Sequence, residues 1–150
     1  DLLSFGGTKN GCLMGEAVIF LNPDIGEGFR YLRKQAMQLV SKMRFVSAQL
    51  EAYLKDDLWL KNARHANAMA RRLAEKAGAI KGVEIKGGVD CNALFAYLPP
   101  EATDMLLEKY YFYIWDAHAQ TVRWMTSWAT TEAEVDEFVA DIEKAVRESR

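Results

Sequence analysis

The chain has 150 residues, half of them apolar and 27% charged, which excludes a disordered tail and fits one folded domain or pieces of two. Its 19 basic and 21 acidic side chains leave a net charge of -2, too balanced for a nucleic-acid binder recruited by bulk charge. No apolar run approaches the roughly 18 residues of a membrane-spanning helix. The two cysteines, Cys12 and Cys91, are too few for a disulfide scaffold and lack metal-ligand spacing, so the expectation is a reduced, cytoplasmic compartment with no metal. The sequence opens at Asp1 in mid-pattern, without an initiator Met or a signal-peptide pattern, which suggests a fragment.

Charge is unevenly spread. Residues 1–78 carry a net +4 and residues 79–150 a net -6. Leu2, Leu3 and Phe5 read as the end of a short strand, and Gly6-Gly7-Thr8-Lys9-Asn10-Gly11 as a turn dense in residues that tolerate unusual backbone angles. A second strand follows over Ala17–Leu21, stopped by Asn22-Pro23. From Gly28 to Asp56 apolar residues recur at spacings of three and four, without an internal proline, which predicts helix throughout. Asp57 can cap a further helix whose stripe is Trp59, Ala63, Ala66, Ala70, Leu73 and Ala77, closing at Gly78. Val83–Ile85 and Asn92–Leu98 read as strands, and Glu101–Tyr110 as a helix with Pro100 in its first turn. Tyr111–Trp115 and Thr121–Trp128 read as strands rich in aromatic and β-branched residues, whose tryptophans and tyrosines are expected in the sheet core. Thr130 or Thr131 caps the last helix, with Glu134 placed for a capping box. Residues 79–150 thus read as a small α+β layer, an antiparallel sheet covered by helices.

Lys9 is the leading candidate for chemistry. A lysine on a glycine-rich turn between two strands can be aimed into a cleft, where desolvation favours the neutral, nucleophilic amine that forms Schiff bases. The plainer alternative is a solvated hairpin lysine. A P-loop is excluded, because the glycine-to-lysine spacing is wrong and a strand follows rather than a helix. Arg123 offers a planar fork suited to a carboxylate, against the alternative of an edge-strand arginine facing water. His65 and His118 read as a packing residue and a loop residue.

The segment from Asp1-Leu2-Leu3-Ser4-Phe5-Gly6-Gly7-Thr8-Lys9-Asn10-Gly11 to Gly15-Glu16-Ala17-Val18 resembles the lysine segment of bacterial low-specificity L-threonine aldolases. The resemblance continues in Arg33–Met37, in Ser41-Lys42-Met43-Arg44-Phe45 and in Val122-Arg123-Trp124-Met125-Thr126-Ser127-Trp128. It implies an α/β fold, the C-terminal portion of a fold-type I pyridoxal-phosphate enzyme. Residues 1–27 would be the edge of the large cofactor-binding domain, residues 28–78 linking helices, and residues 79–150 the small C-terminal α+β domain.

The resemblance further implies that Lys9 carries pyridoxal 5'-phosphate as a Schiff base, with Thr8 and Arg44 beside the cofactor. Arg123 would bind the carboxylate of a small amino-acid substrate. Around Arg44 the family's glycines are replaced by Leu39-Val40-Ser41-Lys42 and its glutamine by Phe45. The implied reaction is cleavage of L-threonine and related β-hydroxy-α-amino acids to glycine and an aldehyde, by a homodimer or homotetramer that also needs the upstream half of the enzyme. Another fold-type I activity, β-eliminating lyase or aminotransferase, and a non-catalytic α+β interaction module remain alternatives.

Overall fold

The computed structural model describes residues 1–149, which divide into two compact units, Asp1–Lys61 and a second that begins at Asn62. In the first, strands β1 (Leu2–Gly6) and β2 (Glu16–Phe20) form an antiparallel hairpin, with Leu2 opposite Phe20 and Gly6 opposite Glu16. Beyond the ladder, the Gly7 amide donates to Gly15 O at 3.0 Å and closes the mouth of the loop. Inside that loop Thr8–Asn10 make a single 3-10 turn, left through Gly11 at φ 110°, a conformation open to glycine. The expected strand, glycine-rich turn and strand are all present. Asn22 then accepts from the Asp24 amide at 3.1 Å and stops β2.

The continuous helix expected over 28–56 does not form. Two helices take its place, α1 (Phe29–Gln35) and α2 (Met43–Leu54), separated at Met37, whose φ is 56°. The reason is packing. Residues 30–42 are all exposed, so their apolar stripe has nothing to bury against, and helices of this length are held mainly by tertiary contact. Among the described residues of this unit, Tyr53 of α2 is the one buried hydrophobic side chain, 5% exposed, with its ring 6.2 Å from that of Phe5.

The second unit has a core. Helix α3 (Leu58–Gly78) buries Ala66, Met69, Ala70, Leu73, Ala74 and Ala77 along the predicted stripe. Strands β3 (Glu84–Lys86), β4 (Ala93–Tyr97), β5 (Tyr113–Asp116) and β6 (Thr121–Met125) form an antiparallel sheet in the order β3-β4-β6-β5. Helix α4 (Pro100–Leu107) begins on its proline, and α5 (Glu132–Glu148) on a capping box between Thr131 and Glu134. Leu94, Ala96, Val122 and Trp124 face one side of the sheet and join Leu73, Leu106, Ile142 and Val146 in the core. Polar clamps tie the layer together. Arg72 Nη2 and Lys76 Nζ reach Asp136 at 2.8 and 2.6 Å, and Lys109 Nζ reaches Glu137 and Asp141, both at 2.7 Å.

The aromatic residues do not all enter that core. Trp124 does, at 2% exposure, but Tyr111, Tyr113, Trp115 and Trp128 are exposed. For Tyr113, alternation along paired strands is the cause: it lies opposite Arg123 and so shares the face opposite to Trp124. Among the described residues no helix is long and apolar enough to cross a membrane, and no three His, Cys, Asp or Glu side chains are grouped to hold a metal ion.

Candidate active site

Lys9 is the middle residue of the 3-10 turn, with an exposed side chain. It has no ion pair or side-chain hydrogen bond among the described residues, and Thr8 beside it is exposed as well. The backbone beneath is tight. The amides of Asn10 and Cys12 both donate to Gly7 O, at 3.0 and 3.1 Å, and a Cβ at Gly7 would stand 2.6 Å from Cys12 Sγ. Gly7 is therefore required by space rather than by its dihedral angles.

Two side chains of α2 and one backbone carbonyl of α3 hold the loop. Asn10 Nδ2 donates to the Tyr53 hydroxyl and, at 2.9 Å, to Trp59 O. Gln49 Oε1 accepts from the Leu13 and Met14 amides at 2.9 and 3.2 Å, while its Nε2 donates to Phe45 O at 3.2 Å. Gln49 and Tyr53 are one turn apart on one helix face, and a Cβ at Gly15 would touch Val46 and Leu50 of the same helix at 3.7 Å. Arg44 occupies the second position of α2, exposed and without an ion pair among the described residues.

Arg123 lies on β6 in the second unit, paired with Phe95 on one side and Tyr113 on the other. Its guanidinium carbon is 5.0 Å from the centre of the Tyr113 ring and 5.1 Å from that of Trp115, and the Trp115 ring lies 5.2 Å from Phe95. Aromatic faces attract the cation but offer no hydrogen-bond acceptor of carboxylate strength. Arg123 Nε is buried without a hydrogen-bond partner, and no carboxylate pairs with the group among the described residues. A buried donor in that condition costs on the order of 1–3 kcal/mol until something accepts from it. Preformed, charged and framed by rings, it has the chemistry of an anion anchor.

The chain is similar to low specificity L-threonine aldolases. It is 44% identical over 145 residues to the enzyme of that description from Pseudomonas sp. (strain NCIMB 10558), and 43% identical over the same length to that from Pseudomonas aeruginosa. In each case the match takes 95% of this chain, which spans 41% of the relative. Among solved structures, the threonine aldolase of Leishmania major superposes with a TM-score of 0.87 at 32% identity, over 97% of this chain and 43% of that one. A transaminase from a directed-evolution and ancestral-reconstruction study aligns with a TM-score of 0.50 at 23% identity, covering 69% of this chain and 26% of its own, and shares the fold alone. No protein-family model matches the chain. The expected fold class, a portion of a fold-type I enzyme, is borne out by these likenesses.

The two histidines keep their plainer readings. His65 Nε2 lies 2.7 Å from Thr130 O and ties α3 to the loop after β6, while the His118 amide donates to Asp116 Oδ1 at 2.8 Å inside the β5–β6 turn. Sequence reasoning passed over Gln49, Tyr53, Tyr113 and Trp115. The four-residue spacing of Gln49 and Tyr53 marks a common face, but what that face meets is fixed only by tertiary structure.

Proposed function

We propose that this chain forms part of a pyridoxal-phosphate-dependent aldolase that cleaves L-threonine and related β-hydroxy-α-amino acids to glycine and an aldehyde. The observation that carries this reading is Arg123, a charged fork with a buried, unpartnered Nε between two aromatic rings. The likeness to threonine aldolases across 95% of the chain supports the substrate α-carboxylate as the ligand of that fork.

The residues present fit the cofactor. Lys9 offers a primary amine without an ion pair or side-chain hydrogen bond among the described residues, on a tightly held turn with Thr8 alongside. These two would hold the group, the Lys9 amine replacing the oxygen of its aldehyde with loss of water, and Arg44, without an ion pair among the described residues, would supply a cation for its phosphate. Pyridoxal phosphate, when bound, supplies an electron sink for the pair left on Cα as the Cα–Cβ bond breaks. Arg123 binds the carboxylate through two parallel charge-assisted hydrogen bonds and so fixes which bond to Cα is presented for cleavage. Lys9 would release the cofactor to the incoming amino group, and the β-hydroxyl proton lost on cleavage would pass to a base that these residues do not supply. The chain spans 41% of the aldolases it resembles, and the other groups of the site are assigned to the rest of that length. The same reading makes the protein a cytoplasmic homo-oligomer.

The test is product analysis with the full-length protein. Threonine and phenylserine should release glycine and aldehyde in equal amounts, and Lys9→Ala should abolish release. Pyruvate from serine as the main product would indicate a β-eliminating lyase instead. Exchange between an amino donor and a keto acid, without aldehyde, would indicate an aminotransferase.

A further inference from the structure

The loop carrying Lys9 is held by backbone bonds at its base and by side chains further out. Gly7 and Gly11 flank the turn without side chains, and the two backbone bonds within the turn converge on a single acceptor, Gly7 O. Its outer fixed points are side chains. Asn10, the residue after Lys9, is half-buried and spans two acceptors at once, the hydroxyl of buried Tyr53 and the Trp59 carbonyl. Gln49, one turn earlier on α2, secures the far limb of the loop at Leu13 and Met14. Among the described residues Lys9 itself makes no ion pair or side-chain hydrogen bond that would orient its amine.

We propose that Asn10 is a positioning residue for Lys9, with Tyr53 as its support, so that α2 sets where the reactive amine points. This rests on the reading of Lys9 given above and deepens it. The anchor is uncharged, which suits its place. An amide holds the turn without placing a carboxylate next to an amine that must shed its proton, whereas a neighbouring negative charge would favour the ammonium form. A four-carbon stem enlarges any rotation of the turn at its tip. Misplacement of a reacting group by about 1 Å is enough to slow a reaction roughly a hundredfold.

The experiment uses full-length holoenzyme and compares Asn10→Ala, Tyr53→Phe and the double variant. Asn10→Ala should lower kcat by roughly ten- to a hundredfold with KM little changed. It should also diminish the visible circular dichroism of the lysine-bound cofactor, a signal of orientation that a purely structural role would leave alone. Tyr53→Phe keeps the buried ring, removes only the hydroxyl and should shift both readouts in the same direction by less. It serves on its own if Asn10→Ala fails to fold. The double variant should be no worse than Asn10→Ala, because both changes break the same contact. Parental kcat and dichroism in the variants would overturn the assignment while leaving Lys9 in its role, and additive losses would overturn the part given to Tyr53. Absence of lysine-bound cofactor in the parent protein would overturn the reading of Lys9 itself, and this assignment with it.

Discussion

Replacing Arg123 by glutamine separates a ligand-binding arginine from a structural one. In the free protein the guanidinium gains two aromatic contacts, at 5.0 and 5.1 Å, worth about 0.5–1 kcal/mol each at accessible sites. Against them stands a buried Nε without a partner, a penalty of about 1–3 kcal/mol. The two nearly cancel, so Arg123→Gln should change the stability of the full-length protein little, or raise it slightly. Substrate binding tells another story. Two charge-assisted hydrogen bonds to a carboxylate, about 1.5–3 kcal/mol each, amount to at least ~3 kcal/mol, or a loss of about a hundredfold or more in kcat/KM. Part of it should fall on KM, since the carboxylate is held in the ground state as well, and part on kcat, since Arg123 also fixes which bond is presented for cleavage. The assay is aldehyde release from threonine and from threoninamide, together with urea unfolding. The parent should discriminate strongly against the amide, and the variant should not. A large loss of stability with unchanged kcat/KM would refute the reasoning and return Arg123 to a structural part.

Three further outcomes follow from the geometry. Ile142 has no exposed surface in the core of the second unit, so Ile142→Ala should cost about 2–5 kcal/mol in urea unfolding; a loss below 1 kcal/mol would mean that the core collapses around the gap. Hydrogen bonds from Arg72 and then Lys76 hold the Asp136 carboxyl down at about 2, below the ~3.9 of an unfolded aspartate, so its contribution is present above pH ~4 and fades as pH falls toward 2. Asp136→Asn should flatten stability against pH in that window alone, and an unchanged slope would contradict the assignment. The part of the chain from Leu58 onward, which among the described residues holds every buried hydrophobic side chain but Tyr53, should unfold cooperatively when made separately; a broad, non-cooperative transition would show that its core is incomplete.

Legibility from the sequence tracked how far local chemistry was allowed to decide. The α5 capping box and the α3 stripe were readable because cap, pattern and burial agree there: Thr131 and Glu134 bond reciprocally, and Ala66, Ala70, Leu73 and Ala77 are all buried. The stretch over 28–56 was misread because periodicity announces an apolar face without guaranteeing a partner for it, and residues 30–42 find none. The exposed aromatic residues of β5 were misplaced for a related reason. Composition marks a strand, but only register decides the face, and the Tyr113–Arg123 pairing turns those rings toward the candidate anion site. Lys9 and Arg123 were legible through their residue types and the resemblance of the segments around them. Their supports were not, since Tyr53 and Asn10 meet across 43 positions of sequence.

The central claim is that Lys9 carries the cofactor. Borohydride reduction of the full-length holoenzyme, followed by peptide mapping, tests it directly, because reduction makes the lysine–cofactor bond permanent. The account predicts a pyridoxyl label on the peptide containing Thr8-Lys9-Asn10, absent when Lys9 is replaced by alanine. A label on another lysine, or none in a protein that still cleaves threonine, would contradict it.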